Sequence, residues 1–495
     1  MGKKRVLFFF LMLSVTLFFF LPSYGQQDEE ELWLLKNLTS LSEVQRMAAE
    51  NGLRLRASVS NQAVTQWLSW LKQRYRDSSV VPEEAWDVIR RARFFTRLPA
   101  EPFLSLIEEG YWELLALYAW VCHANSLDDK GKVIQRFKVA KGTRAKALYA
   151  FCLSWFGYPD VRKFLVRLIQ ERNDDVALVA LWALSHYGIA APQRQIIQAA
   201  RKHLKDFPLF AYAVRGLMFK NGCANPTDEL GVPFVSREHV AQAFPYKTTK
   251  TYVHLYADTT AWTEQLAGLV KEASDFALFC RQILGLKKPR PPIKVAAVSS
   301  WAKMMALNGF LWRSTPVVYN DSFDWVDLLI SQKDGKLNQT ETLLHLLDGI
   351  ATAVVVRSLA EGPTYNWLPS ALSNALVFKW YREKKHSLPP WLRARHAISE
   401  SVAAVDVLSR LSDRRAATLV LHPVRRHFVC RIAGVFLAWL SEQKPQVWGK
   451  LKGAILQNAN TDAEKLVSML ANTVRENKAS VASWLKQLAK ETRGQ

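Results

Sequence analysis

The stretch Thr340-Glu341-Thr342-Leu343-Leu344-His345-Leu346-Leu347-Asp348-Gly349 sets one imidazole in a leucine-rich run that reads as helix. Two imidazoles four residues apart share a helix face, and a carboxylate beside the first can serve as base for a zinc-bound water. This run supplies the first imidazole, His345, and then departs from that chemistry. Leu346 stands where the base belongs and Gly349 where the second imidazole belongs. Asp348, three positions after His345, could share its face and form a His-x-x-Asp donor pair. A catalytic zinc needs three protein ligands and an open position, so that pair needs a third group from elsewhere. The blander reading makes Asp348 a hydrogen-bond partner of a partly buried His345. His254, His386 and His396 have no fixed relation to the run. His422 and His427 are poorly spaced for one helix face, and Pro423 is expected to break the helix there. No Gly-rich phosphate loop, Gly-x-Ser-x-Gly elbow or cysteine-nucleophile context occurs.

The elements that must position His345 begin after a break rich in Gly, Pro and Asn at 222 to 234. The run 250 to 258, KTYVHLYAD, alternates and predicts a strand. A long amphipathic helix follows, with Thr259 or Thr260 as its N-cap. PPIKVAAVSS and STPVVYND predict two further short strands. The His345 helix comes next and, after a Gly-Pro turn, a second helix that opens on Trp367-Leu368.

This order resembles the peptidase domain of gluzincin-type zinc metallopeptidases, the MA-like domains of exported bacterial proteins, over about residues 246 to 385. That family carries LLHELxH on its metal helix and WLxEGLAEY at the start of the next. The matching stretches here are Leu343-Leu344-His345-Leu346-Leu347-Asp348-Gly349 and Trp367-Leu368-Pro369-Ser370-Ala371-Leu372-Ser373-Asn374-Ala375. The resemblance implies that His345 matches the first ligand. Leu346 then replaces the catalytic Glu, Gly349 the second His, Ser370 the third-ligand Glu and Asn374 the Glu that follows it. Losing the base alone removes about two to four powers of ten in rate. What the resemblance implies is an inactivated scaffold without a cofactor, whose old cleft is kept as a peptide groove that pairs an extended segment with an edge strand.

Upstream, a repeat is legible. DDKGKVIQRFKVA begins at Asp128, DVRKFLVRLIQER at Asp160 and PQRQIIQAARKHL at Pro192, 32 residues apart each time. Second helices start at Gly142, Asp174 and Asp206, with Ala147, Val179 and Ala211 at one equivalent position. Thr96 and Gly110 open a pair one period earlier, and SNQAVTQWLSWLKQRY with PEEAWDVIRRARFF reads as a fifth, irregular pair. Gly157, Gly188 and Asn221 are expected as left-handed C-caps. The pattern resembles HEAT-type repeats, which must stack to bury their apolar faces. Either a curved binding surface or a stabilising arm for the next domain satisfies it.

Lys3, Lys4 and Arg5, the apolar run Val6 to Leu21 and Ser23-Tyr24-Gly25 have the form of a cleaved secretory signal, and no later stretch reaches the roughly 18 apolar residues of a membrane span. The net charge of +22 falls to +19 without the three leader cations. Its distribution favours anionic surfaces, while no nucleic-acid motif accompanies it. The cysteines, Cys122, Cys152, Cys223, Cys280 and Cys430, are scattered and read as small core residues.

The expected fold is mostly α with a small α+β domain. It comprises a signal peptide (1–25), a HEAT-like helical repeat region (26–222), an inactivated peptidase-like domain (246–385) and a helical C-terminal region (386–495). The expected function is an exported, non-catalytic binding or scaffold protein of the cell envelope with a protein or peptide partner. A metallopeptidase with atypical ligands, and a basic adaptor for anionic envelope polymers or lipids, are the alternatives.

Overall fold

The computed structural model describes residues 24–38, 40, 43–74, 83–108, 127–171, 173–185, 193–220, 222–287, 290–309, 316–321, 323–333, 335–360, 367–393, 395–410, 423–458 and 463–493. The chain is mostly α-helical with a small mixed α+β part, as its periodicities predict. The leader run Val6 to Leu21 lies outside the described residues, as do Cys122, Gly188, Asn221 and the segment opening at Gly110.

Helices Leu127–Val139 and Thr143–Trp155, then Pro159–Leu168 and Asp174–Leu184 (α1), then Gln193–Ala200 and Pro208–Lys220 (α2), follow in pairs that start 31 to 34 residues apart. Local chemistry sets their ends. Pro159 occupies a first-turn position, where its missing N–H costs nothing. Asn173 caps α1 by accepting from the Val176 N–H at 3.2 Å. Gly157 takes φ +62 after the helix that ends at Trp155, the left-handed cap expected there. Ala147 and Ala211 are buried where second helices meet their neighbours.

Helix Arg237–Gln242 (α3) leads into a five-stranded sheet, ordered β1 (Tyr246–Thr249), β2 (Val253–Ala257), β3 (Ile293–Val298), β5 (Trp325–Leu329), β4 (Val317–Asn320). The three central strands β2, β3 and β5 are parallel, and both edges are antiparallel. Helix Thr263–Leu284 (α4) connects β2 to β3, and Trp301–Leu307 (α5) follows β3. The small hairpin β6 (Gln332–Lys333) and β7 (Lys336–Leu337) precedes Gln339–Val356 (α6), which carries His345. Helices Leu368–Lys385 (α7), Pro390–Arg393 (α8) and Pro423–Gln443 (α9) come after it.

Strand alternation divides the core. Val295 and Ala297 of β3 and Val326 and Leu328 of β5 face the layer of α4, α6 and α7. Ala296, Val298, Trp325 and Leu329 face α5 and the upstream helices, in an apolar cluster that runs from Leu34 to Leu329. The sheet is therefore covered on both faces, as parallel strands require. Arg237 of α3 ties the layers together. It forms an ion pair with the fully buried Asp327 of β5 and donates from Nη1 to the Leu307 carbonyl at 2.7 Å.

Several local expectations need correction. β1, β5 and the β6–β7 hairpin carry no matching prediction. The N-cap position of α4 is Trp262, whereas Thr259 instead accepts from the Ala261 N–H in the turn before it. Pro423 stands at the first residue of α9, where a missing N–H costs nothing, and His422 lies outside the described residues. Within the C-terminal helical region, Ala463–Arg493 forms one long helix. Cys152, Cys223, Cys280 and Cys430 are buried, as small core residues would be.

Candidate functional site

Asn338 starts α6. Its side-chain oxygen accepts from the Glu341 N–H at 3.3 Å, and its Nδ2 donates to Glu341 Oε2 at 3.0 Å. The helix then turns Leu346, Leu347, Ile350 and Ala351 into the apolar layer beneath the sheet. Gly349 marks a close approach of α6 to that sheet. A Cβ there would lie 2.6 Å from Val326 Cγ1 of β5 and 2.8 Å from Val317 Cγ2 of β4. The missing side chain is what lets the helix lie so near the strands. Where the resemblance puts a second imidazole, the fold leaves no room for one. Leu346 is fully buried, so a carboxylate there would lose its hydration without a partner.

His345 is partly buried, and its Nδ1 is shielded from water without a hydrogen-bond partner. Burial, and then the positive charge of Arg431, pushes its pKa down to about 3, which keeps the ring neutral. Burial pushes the Asp348 carboxyl up to about 6, against the pull of the same Arg431. No hydrogen bond joins His345 to Asp348; the polar contact at Asp348 is its backbone carbonyl, which accepts from Thr352 Oγ1 at 2.8 Å. Arg431 comes from α9, and its guanidinium lies 5.5 Å from the centre of the Trp391 ring on α8. The Trp391 indole N–H is likewise buried without a partner. α8 and α9 thus bring a cation and an aromatic ring to the part of α6 that carries His345.

On α7, Trp367 and Leu368 are buried as docking residues, and Cys430 of α9 approaches the Trp367 carbonyl at 3.8 Å. Ser370 is exposed. Asn374 donates from Nδ2 to the Ser370 carbonyl at 2.8 Å, one turn back along the same helix. Asn374 also lies at the contact with Gly434 of α9, where an added Cβ would meet Asn374 Cβ at 2.6 Å and the Ala371 carbonyl at 2.8 Å. Neither Ser370 nor Asn374 hydrogen-bonds to His345 or Asp348. The fold brings His345, Asp348 and Arg431 together and gives Gly349 and Asn374 to helix packing.

These residues do not fit a zinc ion. One imidazole faces a fixed positive charge, the second-ligand position is closed by valines, and the base is an apolar side chain. Among the described residues, no group of three or more His, Cys, Asp or Glu side chains converges as a metal site. Arg431 and Trp391 escape a reading of the sequence because nothing local marks them. The available signal is weak: one arginine inside the apolar run VCRIAGVFLAWL, and one tryptophan after a Pro-Pro pair.

Among the described residues, no helix is long and apolar enough to cross a membrane. Comparison of the chain with family models, with curated proteins and with solved structures finds no match.

Proposed function

We propose that this chain is an exported, non-catalytic binding or scaffold protein of the cell envelope, built on a gluzincin-like domain that has lost its chemistry. The observation that carries the reading is Gly349. The helix has been fitted to the sheet at the one position where a second metal ligand would have to stand. The order of elements supports the ancestry: strand, long helix, strands, His345 helix, and a second helix opening on Trp367-Leu368. The leader-like N-terminus supports export. Arg431 weighs against a metallopeptidase with atypical ligands, because a cation placed to act on both His345 and Asp348 opposes a divalent ion at that spot. It also weighs against the old cleft as the peptide groove, since α8 and α9 already bring Trp391 and Arg431 there. Binding therefore belongs to another surface.

The test is cleavage of a mixed peptide library by the purified full-length chain, with and without added zinc. The expected result is no zinc-dependent product. Zinc-dependent cleavage that disappears in His345→Ala would overturn the reading.

A further inference from the structure

Two apolar side chains stand out of the surface at one end of the upstream helices. Among the described residues, Leu55 at 86 % and Phe94 at 77 % are the most exposed large apolar side chains. The fold brings them together. Leu55 directly follows the helix Glu43–Arg54, and Phe94 lies in the last turn of the helix Glu83–Phe95. The Arg97 N–H donates to the Ala57 carbonyl at 3.2 Å, and the Thr96 hydroxyl donates to the Arg56 carbonyl at 3.0 Å. These bonds hold the chain after Arg54 against the chain after Phe95. The Phe95 ring centre lies 5.3 Å from that of Phe94 and 4.8 Å from the Arg54 guanidinium. Leu55 and Phe94 thus flank a single Arg54–Phe95 stack.

A lone exposed leucine or phenylalanine is ordinary and asks for no partner. The charge around this pair sets it apart. Arg90 lies one turn before Phe94 on the same helix face, and Arg54, Arg90 and Arg97 are all exposed. Carboxylates of this region are taken up by other arginines: Glu50 pairs with Arg91, and Glu30 and Glu31 pair with Arg56. Arg54 has no such duty. Among the described residues its guanidinium makes no hydrogen bond or ion pair, only the stack on Phe95. One cation at a helix C-terminus answers the helix dipole. Three of them around two apolar prongs exceed that need.

Protruding apolar side chains among guanidinium groups suit a lipid surface with anionic headgroups. Acyl chains pack around any side chain that enters them, so no matching recess is needed, and arginine heads stay at the depth of the phosphates. A protein partner would instead have to offer a hollow shaped to each prong. We infer that this end of the helical region docks on an anionic phospholipid bilayer, with Leu55 and Phe94 in the acyl region and Arg54 on a headgroup phosphate. The inference rests on the envelope-binding reading for the membrane it would meet. Its test reads vesicle binding alone, whereas that reading fails on zinc-dependent cleavage.

Vesicle co-flotation provides the test, on the chain from Gln26, because the apolar leader run would itself enter lipid. That form retains every helix and strand given above. The expected result is binding to vesicles of equal parts phosphatidylcholine and phosphatidylglycerol, weakened by salt, and little binding to phosphatidylcholine alone. Leu55→Ser combined with Phe94→Ser keeps the net charge. It should weaken binding about tenfold or more and leave the unfolding midpoint little changed. Arg54→Gln should weaken binding about fivefold. Val139→Ser, at another exposed apolar position, should leave it unchanged. A double variant that binds like the parent, or an equal loss in Val139→Ser, would overturn the inference in favour of diffuse attraction. Equal binding to the neutral vesicles would overturn it as well. No vesicle binding by the parent would assign the patch to a protein partner and overturn it too.

Discussion

Gly349 and His345 sit one helical turn apart and carry opposite demands. Gly349 must have no side chain. Adding one methyl in Gly349→Ala gains about 1 kcal/mol of helix propensity but incurs about 1–3 kcal/mol of overpacking against Val326 and Val317. A lower urea midpoint is expected, with Gly349→His losing far more and gaining no metal affinity. His345 and Asp348 give a pH signature. The unfolded imidazole protonates near about 6.5 and the folded one only near 3, so acidification across that window favours the unfolded chain. Asp348 has the reverse sign. Its folded carboxyl protonates near 6 and its unfolded one near about 3.9, so its contribution is full below about 3.9 and is lost as the pH rises through 6. Between about pH 6 and 4 the two oppose one another. Urea midpoints across that range should fall more steeply on acidification in Asp348→Asn than in the parent chain. In His345→Gln they should fall less or rise.

At the scale of elements, α7 and α9 approach closely at Gly434. An added Cβ there meets the backbone of Ala371 and Ala375, which cannot rotate away as the valine methyls at Gly349 can. Gly434→Ala should therefore destabilise more than Gly349→Ala, by about 1–3 kcal/mol or above in urea unfolding. Most of these elements were legible in the sequence because apolar patterning marks them. α4 has a one-sided pattern, whereas α6, α7 and β3 were legible as apolar runs bounded by turn signals. β5 was not legible, because Trp325-Val326-Asp327-Leu328-Leu329 is buried on both faces and has no alternation to read. Its Asp327 looks like a surface residue until Arg237, far away in sequence, closes the pair. The site was half legible for the same reason. His345, Leu346, Asp348 and Gly349 lie in one run, whereas Arg431 and Trp391 reach them only through tertiary folding. A glycine's role against a sheet is likewise invisible until the strands it touches are known.

In the whole molecule, the upstream helices and the sheet are held by buried charge as well as apolar packing. Lys303 of α5 pairs with the buried Asp258 at 2.8 Å, and the Ser300 hydroxyl donates to Asp175 of α1 at 2.7 Å. Breaking the inner pairs should be costly and breaking the outer contact cheap. Arg237→Ala leaves Asp327 buried and unpaired, an expected loss of about 3–5 kcal/mol. Asp175→Asn, at a half-buried position whose amide can still accept from Ser300, should change stability by less than about 1 kcal/mol. Limited proteolysis should accordingly open the junction between α3 and β5 in the first variant and leave it closed in the second.

The claim at the centre is that α6 keeps the place of a metal helix without the means to hold a metal. Zinc content is the most direct measure of it. The full-length chain would be purified, equilibrated with equimolar zinc against a competing chromophoric chelator, and assayed for bound metal beside His345→Ala. The chelator should retain the zinc equally in both samples. One zinc bound per parent chain, and none in His345→Ala, would contradict the claim.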